Sequence, residues 1–421
     1  MFNRGLSLDQ APPFGAVLRF FLTIPLFGLL AAGALGLADA QTMTVWDAPT
    51  TAALVHLVLL GMVGMAMVGA LFQMLPVIAG AAIKAPMFHA RWIHALMGLG
   101  VLMLAGGLYF QVPGLFHPAL ALLLGSLGFV VLMMLFKLLK VENKTPSVIG
   151  MIVALTALGM GLLFAVAVTL TFMGVNLGIV PQDLRNVHMH FMLFGWIVVL
   201  IMAVAFQVIE MFYVTPPYPN NVRRWFPSAI MAILVADVPL ELFRPAWAGW
   251  LDALLALLLA VFAGITLKRL RQRKRPVADV TVQLWRTGMA ALSLAVLFWF
   301  LQNLGGWAPG FALAAYLFGY VVLSVVFAMS YKIIPFLVWF HLNAKGVLET
   351  PMMGDIIAAR MMRPHLWLHW AVGIALAAAV LLPPLFKAAA LLFFAESLLY
   401  GFNLLGAARI YFRLKDKGIL K

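Results

Sequence analysis

Two histidines one residue apart, His188 and His190, open an apolar run within the stretch NVHMHFMLFGW at 186–196. A third, His56, opens a similar run, HLVLLGMVGMAMVGALFQMLP. Neutral imidazole is a ligand for first-row metals and for haem iron, and it titrates near neutral pH. On a helix, residues i and i+2 point about 200° apart, so His188 and His190 should face different clefts. One is expected to look toward the second apolar run, the other toward the tenth or a flanking one. A second group comprises His89, His94, His341, His365 and His369. His365 and His369 are four residues apart, on one helical face and at a metal-ligand spacing. With His94 they make a candidate second site for haem or copper. Arginines lie among them, so interfacial anchoring is the plainer account, as it is for His117 beside Pro118.

Other polar residues in apolar runs narrow the chemistry. Met62, Met65, Met67, Met189 and Met192 could ligate iron or copper, but with 25 methionines in the chain packing explains any one of them better. Asp237 and Glu241, four apart and near Arg244, suit either a structural ion pair or a step on a proton path. Glu210 stands where the second run has Pro76, and Glu396 lies deep in an apolar run and needs a partner. Gln73 and Gln207 read as hydrogen-bonding glue between helices. No residue is marked as catalytic.

The elements that carry these groups follow from composition. The chain has 421 residues, 65% of them hydrophobic and only 10% charged, with a mean hydropathy of +1.05. Runs of roughly 20 apolar residues, enough to cross a ~30 Å hydrocarbon core, recur from end to end. Backbone in lipid must satisfy its own hydrogen bonds, so these runs are helices, and no ten-residue alternation suggests a barrel. The expected fold is an all-α polytopic membrane protein, a single transmembrane domain over 1–421. Twelve spans are expected, near 15–38, 51–80, 91–112, 116–138, 147–174, 186–214, 226–245, 248–268, 284–304, 309–340, 364–386 and 388–412.

The net charge of +14 is not a nucleic-acid signature, because the basic residues fall in every second loop: Lys84, Lys140, Arg223, the run KRLRQRKR at 268–275, Arg360 and the tail. The opposite loops carry Asp39, Asp47 and Asp183 and few bases. By the positive-inside rule both termini are expected to be cytoplasmic, in a bacterial inner membrane. The amino-terminal residues show no cleavage site after a short apolar core, so the first span is expected to be retained. The absence of cysteine excludes disulfides, thiolate ligands and covalently attached haem.

Spans two and six align without a gap: His56 with His190, Gly61 with Gly195, and Phe72-Gln73 with Phe206-Gln207. Span ten is a weaker third copy that keeps Gly319. A tryptophan opens each following span, at Trp92, Trp225 and Trp367. Three copies of a four-helix unit, at approximately 15–138, 147–268 and 284–412 with starts about 130 residues apart, account for the pattern.

Twelve spans in three four-helix arcs, with histidines at the starts of spans two and six, resemble subunit I of the haem–copper oxidases. They are more closely similar to the smaller NnrS-type haem proteins related to it. The resemblance covers the whole chain in architecture and rests on VHLVLLGMVGMAMVGALFQMLP and VHMHFMLFGWIVVLIMAVAFQ. It implies that His56 matches a span-two haem ligand and that His190 lies where a span-six copper ligand belongs. Ala315 and Tyr316 stand where span ten of the oxidases has histidines, and Asp237 and Glu241 stand in span seven. An intact oxygen-reducing centre is therefore not encoded. NnrS-type proteins usually pair their histidines in span two, whereas this chain has them in span six. The expectation is a heme b protein, with the iron held axially by His56 and by His190 or His188, and copper as a second candidate metal. Its role would be electron transfer, or binding of nitric oxide under nitrosative stress. Expected partners are the lipid bilayer, a quinol or another electron donor, and further copies of the chain in a homo-oligomer. A proton-coupled secondary transporter and a copper-handling protein are the alternatives.

Overall fold

A computed structural model describes residues 10–275 and 277–417, with backbone alone at 245 and 246. The first nine residues and the last four of the basic tail lie outside the described residues. No strand occurs among the described residues, and twelve helices are long and apolar enough to cross a bilayer. These are α1 Phe14–Leu37, α2 Pro49–Ala79, α3 Pro86–Tyr109, α4 Pro113–Leu139, α5 Pro146–Phe172 and α6 Pro181–Tyr213. They continue as α7 Asn220–Phe243, α8 Pro245–Arg271, α9 Val280–Gly305, α10 Gly310–Ala344, α11 Ala359–Leu381 and α12 Pro383–Leu414. The chain is an all-α, multi-pass membrane protein. Leu132, Trp250, Ile374 and Leu391 are each more than 70% exposed, a surface that suits lipid rather than water.

Helices α3, α6, α7 and α11 start five or six residues earlier than the sequence suggests, at Pro86, Pro181, Asn220 and Ala359, so that Pro227 and Pro364 lie inside helices. The basic and tryptophan-bearing segments that read as loops are continuous with the apolar helices they precede.

The helices group into two compact units. One holds residues 95–276, hence most of α3 and all of α4 to α8, together with the end of α2. The other holds α1, most of α2, the start of α3 and α9 to α12.

The repeat reappears in both units. In α2 the α-helical hydrogen bonding ends at His56 and widens to a π-helix over Leu57–Gly64. In α6 it ends at His190 and widens over Phe191–Val198, the same positions 134 residues on. Runs of π-helix are rare and concentrate at functional sites. Glycine lets the neighbouring helix approach each widened segment. A Cβ on Gly61 would stand 2.6 Å from the Phe27 ring, and one on Gly195 would stand 2.5 Å from the Cβ of Ala157. One turn or two further along, a Cβ on Gly69 would meet Phe20 at 2.8 Å, and one on Gly150 would meet Ala203 at 2.6 Å. Phe27 and Ala157 are equivalent by the repeat, as are Phe20 and Gly150, Gly61 and Gly195, Gly69 and Ala203. The same contacts thus recur, with the bulk redistributed between partners.

Candidate functional site

α7 and α8 form a tight hairpin, broken only at Arg244, whose φ of −147° lies outside the helix. Seven residues before the break and eight after it, Asp237 and Asp252 come to the same depth. Glu241 lies one turn from Asp237 on the same face of α7. α6 brings His190 against this acidic hairpin. The Nδ1 of His190 lies 2.7 Å from Asp237 Oδ2, and its Nε2 lies 3.8 Å from Asp252 Oδ1. Asn186, one turn before His190, donates from Nδ2 to Glu241 Oε2 at 3.2 Å.

Donor atoms of His190, Asp237 and Glu241 all lie within 4.8 Å of one another, the one such group of three among the described residues. The Asp237 side chain is 4% exposed, and its Oδ1 has no hydrogen-bond partner. A buried carboxylate oxygen without a partner costs roughly 1–3 kcal/mol, more for a charged group, unless something else satisfies it. Three carboxylates around one imidazole are residue types that can hold a cation within a helical bundle.

The ion pair expected between Asp237, Glu241 and Arg244 does not form among the described contacts. Arg244 lies beyond the helix end, and its guanidinium is exposed and donates to the carbonyl of Phe243. Sequence reading missed Asp252 and Asn186 altogether. Distance from the α7–α8 break was the usable signal for Asp252.

The other sequence candidates separate. His188 turns away from His190: its Nδ1 lies 2.9 Å from the carbonyl of Gly161 on α5, while His190 faces α7 and α8. The opposed directions follow the two-residue spacing, but the neighbours are α5 and the α7–α8 hairpin. His56, in the other unit, places Nδ1 2.7 Å from the carbonyl of Ala52. Met62 and Met192 fill the space beside Gly28 and Gly161. Gln73 is buried with neither amide atom hydrogen-bonded, so it supplies no interhelix bond.

Of the second group, His365 and His369 come together in the α9–α12 unit, both fully buried and facing Glu396 of α12. His94 lies elsewhere, 2.6 Å from Thr23 Oγ1 and edge-on to Phe20. His341 packs against Phe14 and Tyr411, and His117 is exposed at the start of α4. Glu210 lies 3.8 Å from Arg223 and accepts from the backbone N–H of Tyr218, closing the α6–α7 loop.

No family model matches the chain, and no curated protein matches it.

Proposed function

We propose that this membrane protein binds a divalent first-row metal ion at His190, Asp237 and Glu241, with Asp252 as a further carboxylate. The observation that carries this reading is the convergence of three ligand-bearing side chains around a buried carboxylate oxygen that has no partner. One imidazole with carboxylate oxygens suits Mn²⁺, Fe²⁺ or Zn²⁺. Asp237 Oδ2 can accept the Nδ1 proton of His190, which leaves the bare Nε2, on the side of Asp252, to ligate the ion. A carboxylate that fixes a ligating histidine in this way is the usual outer support of such sites. The bound cation would offset the clustered negative charge, which an apolar bundle otherwise holds at a cost.

One observation favours a second reading, non-covalent haem b on His56. Its Nδ1 is committed to the Ala52 carbonyl, and its Nε2 has no hydrogen bond among the described residues, the orientation an axial imidazole needs. His190 is a poorer axial ligand, because the Asp252 carboxylate stands before its Nε2. In that reading the chain would serve electron transfer or nitric oxide binding, with a quinol as donor. By its charge distribution, the protein would sit in a cytoplasmic membrane with both termini inside.

Metal analysis of protein purified without chelators, together with oxidised and reduced visible spectra, tests both readings. The expected result is about one equivalent of non-haem metal, lost in His190→Ala. A Soret band lost in His56→Ala would instead establish the haem reading. Protein that neither carries nor takes up Mn²⁺, Fe²⁺ or Zn²⁺ overturns the metal site.

A further inference from the structure

Inside the α9–α12 unit lies a second polar cluster with a different chemistry. His365 and His369 are fully buried and Glu396 is 1% exposed. His369 Nδ1 stands 2.6 Å from Glu396 Oε1, and its Nε2 stands 2.7 Å from the hydroxyl of Ser324 on α10. His365 Nε2 approaches the same Glu396 oxygen at 3.7 Å, and neither of its ring nitrogens has a hydrogen-bond partner. Glu396 Oε2 is also unpartnered.

The hydrogen bonds constrain where protons sit. The hydroxyl of Ser324 has one hydrogen, and it donates to the carbonyl of Tyr320 at 2.8 Å. It must then accept from His369, which fixes the proton on Nε2. Neutral His369 so arranged has a bare Nδ1, and a bare nitrogen 2.6 Å from a bare carboxylate oxygen would be repulsive. One proton must therefore lie between Nδ1 and Oε1. The opposite arrangement, with Ser324 donating to Nε2, would leave a net negative charge in the core. Among the described residues, the groups facing the cluster supply nothing to offset it. They are Tyr320 and Tyr331 on α10 and Tyr400 and Asn403 on α12, while α1 presents Gly28 against Ser397. Tyr320 donates its hydroxyl proton to the carbonyl of His369 and Tyr400 to Ser330, so both are already committed.

We infer that Glu396 and His369 hold one proton in common and that His365 is its other acceptor, the three forming a proton relay within the helices. Transfer toward His369 breaks the Glu396 O–H bond and forms Nδ1–H. Transfer the other way breaks the same O–H bond and forms N–H on His365, after a rotamer change closes the 3.7 Å gap. The ligand of this site is a proton. The inference does not depend on metal at His190, which lies in the other unit.

The test is infrared difference spectroscopy of the full chain in lipid nanodiscs after pH jumps, in H₂O and D₂O. Wild type should show a Glu396-dependent change in the carboxyl or imidazolium bands that shifts in D₂O and is lost in Glu396→Gln. His365→Gln, which removes a ring that makes no hydrogen bond, should alter that signal while leaving the protein folded. A wild-type spectrum without any exchangeable, pH-dependent carboxyl or imidazolium change overturns the proton site. A His365→Gln spectrum identical to wild type overturns the relay, and it decides that point even if Glu396→Gln does not fold.

Discussion

Gly195 lies in the π-helical segment that follows His190, and replacing it with alanine tests whether close approach of α5 sets that segment. The added methyl would stand 2.5 Å from the Cβ of Ala157 and 2.9 Å from Leu234 Cδ1. Carbon atoms prefer about 3.5–4.0 Å. The end of the Leu234 side chain can rotate away, but Ala157 Cβ is fixed to the α5 backbone, so the two helices must part by about 1 Å. Overpacking of this kind costs roughly 1–3 kcal/mol, and a cost near 2 kcal/mol raises the unfolded fraction roughly 30-fold. Gly195→Ala should therefore lower stability clearly in mixed-micelle unfolding titrations. Replacing Ala157 with glycine in the same chain removes the obstructing atom and leaves the new methyl 3.8 Å from the Cα of residue 157, an ordinary contact. A double-mutant cycle should then show about 1–2 kcal/mol of favourable coupling; the roughly 1 kcal/mol that a helical glycine costs by itself enters both the single and the double variant and cancels. Full additivity of the two changes, or a Gly195→Ala protein as stable as wild type, would refute the reasoning.

Two further outcomes follow from the same structure. Asp237→Asn keeps the shape of the His190 contact but removes the charge that orients the imidazole. Metal affinity should fall about 10–100-fold, read by competition with a chromophoric chelator, and an unchanged affinity would remove Asp237 from the site. Asp279 caps α9 and pairs with Lys332 on α10. Burial pushes its carboxyl up, but the Lys332 charge, with hydrogen bonds from Lys332, Thr281 and the Val282 N–H, holds it below the usual range. A carboxylate depressed on folding stabilises above its unfolded value and loses that contribution as the pH falls through the folded one. Stability should thus be flat from neutral pH to about 4 and drop below it, and Asp279→Asn should blunt that acid limb in pH-dependent unfolding. An unaltered acid limb would show that other carboxylates set it.

The sequence made the spans readable because lipid leaves helices no alternative, and twenty apolar residues are hard to miss. The early starts of α7 and α11 were hidden by interfacial arginine and tryptophan, which are as compatible with a helix end as with a loop. The equivalence of His56 and His190 was visible in register, and the matching π-helical segments are its physical counterpart. What they face was not visible. Asp252 meets His190 because the α7–α8 break sits at Arg244, which Pro245 at the start of α8 marks, but which residues the returning helix would face was not readable from that break. The four-residue spacing of His365 and His369 pointed to a shared face, but the partner that gives the pair its chemistry, Glu396, lies 27 residues on and on another helix.

The metal and proton sites proposed for the two clusters draw on the same residue types, and the difference between the proposals comes from their surroundings. At His190 the carboxylates outnumber the imidazole, and Asp252 keeps a side chain 25% exposed. An excess of negative charge with a side chain not fully sealed suits a metal cation. At Glu396 the carboxylate is sealed and shares its oxygen between two imidazoles. No hydrated ion fits such an arrangement without displacing a ring, whereas a proton needs no space and neutralises the single charge present. Removing a carboxylate should therefore act in opposite senses. At His190 it should weaken the proposed metal binding. At Glu396, the isosteric glutamine can donate its own N–H to His369 Nδ1, so the fold should survive while the shared proton is lost.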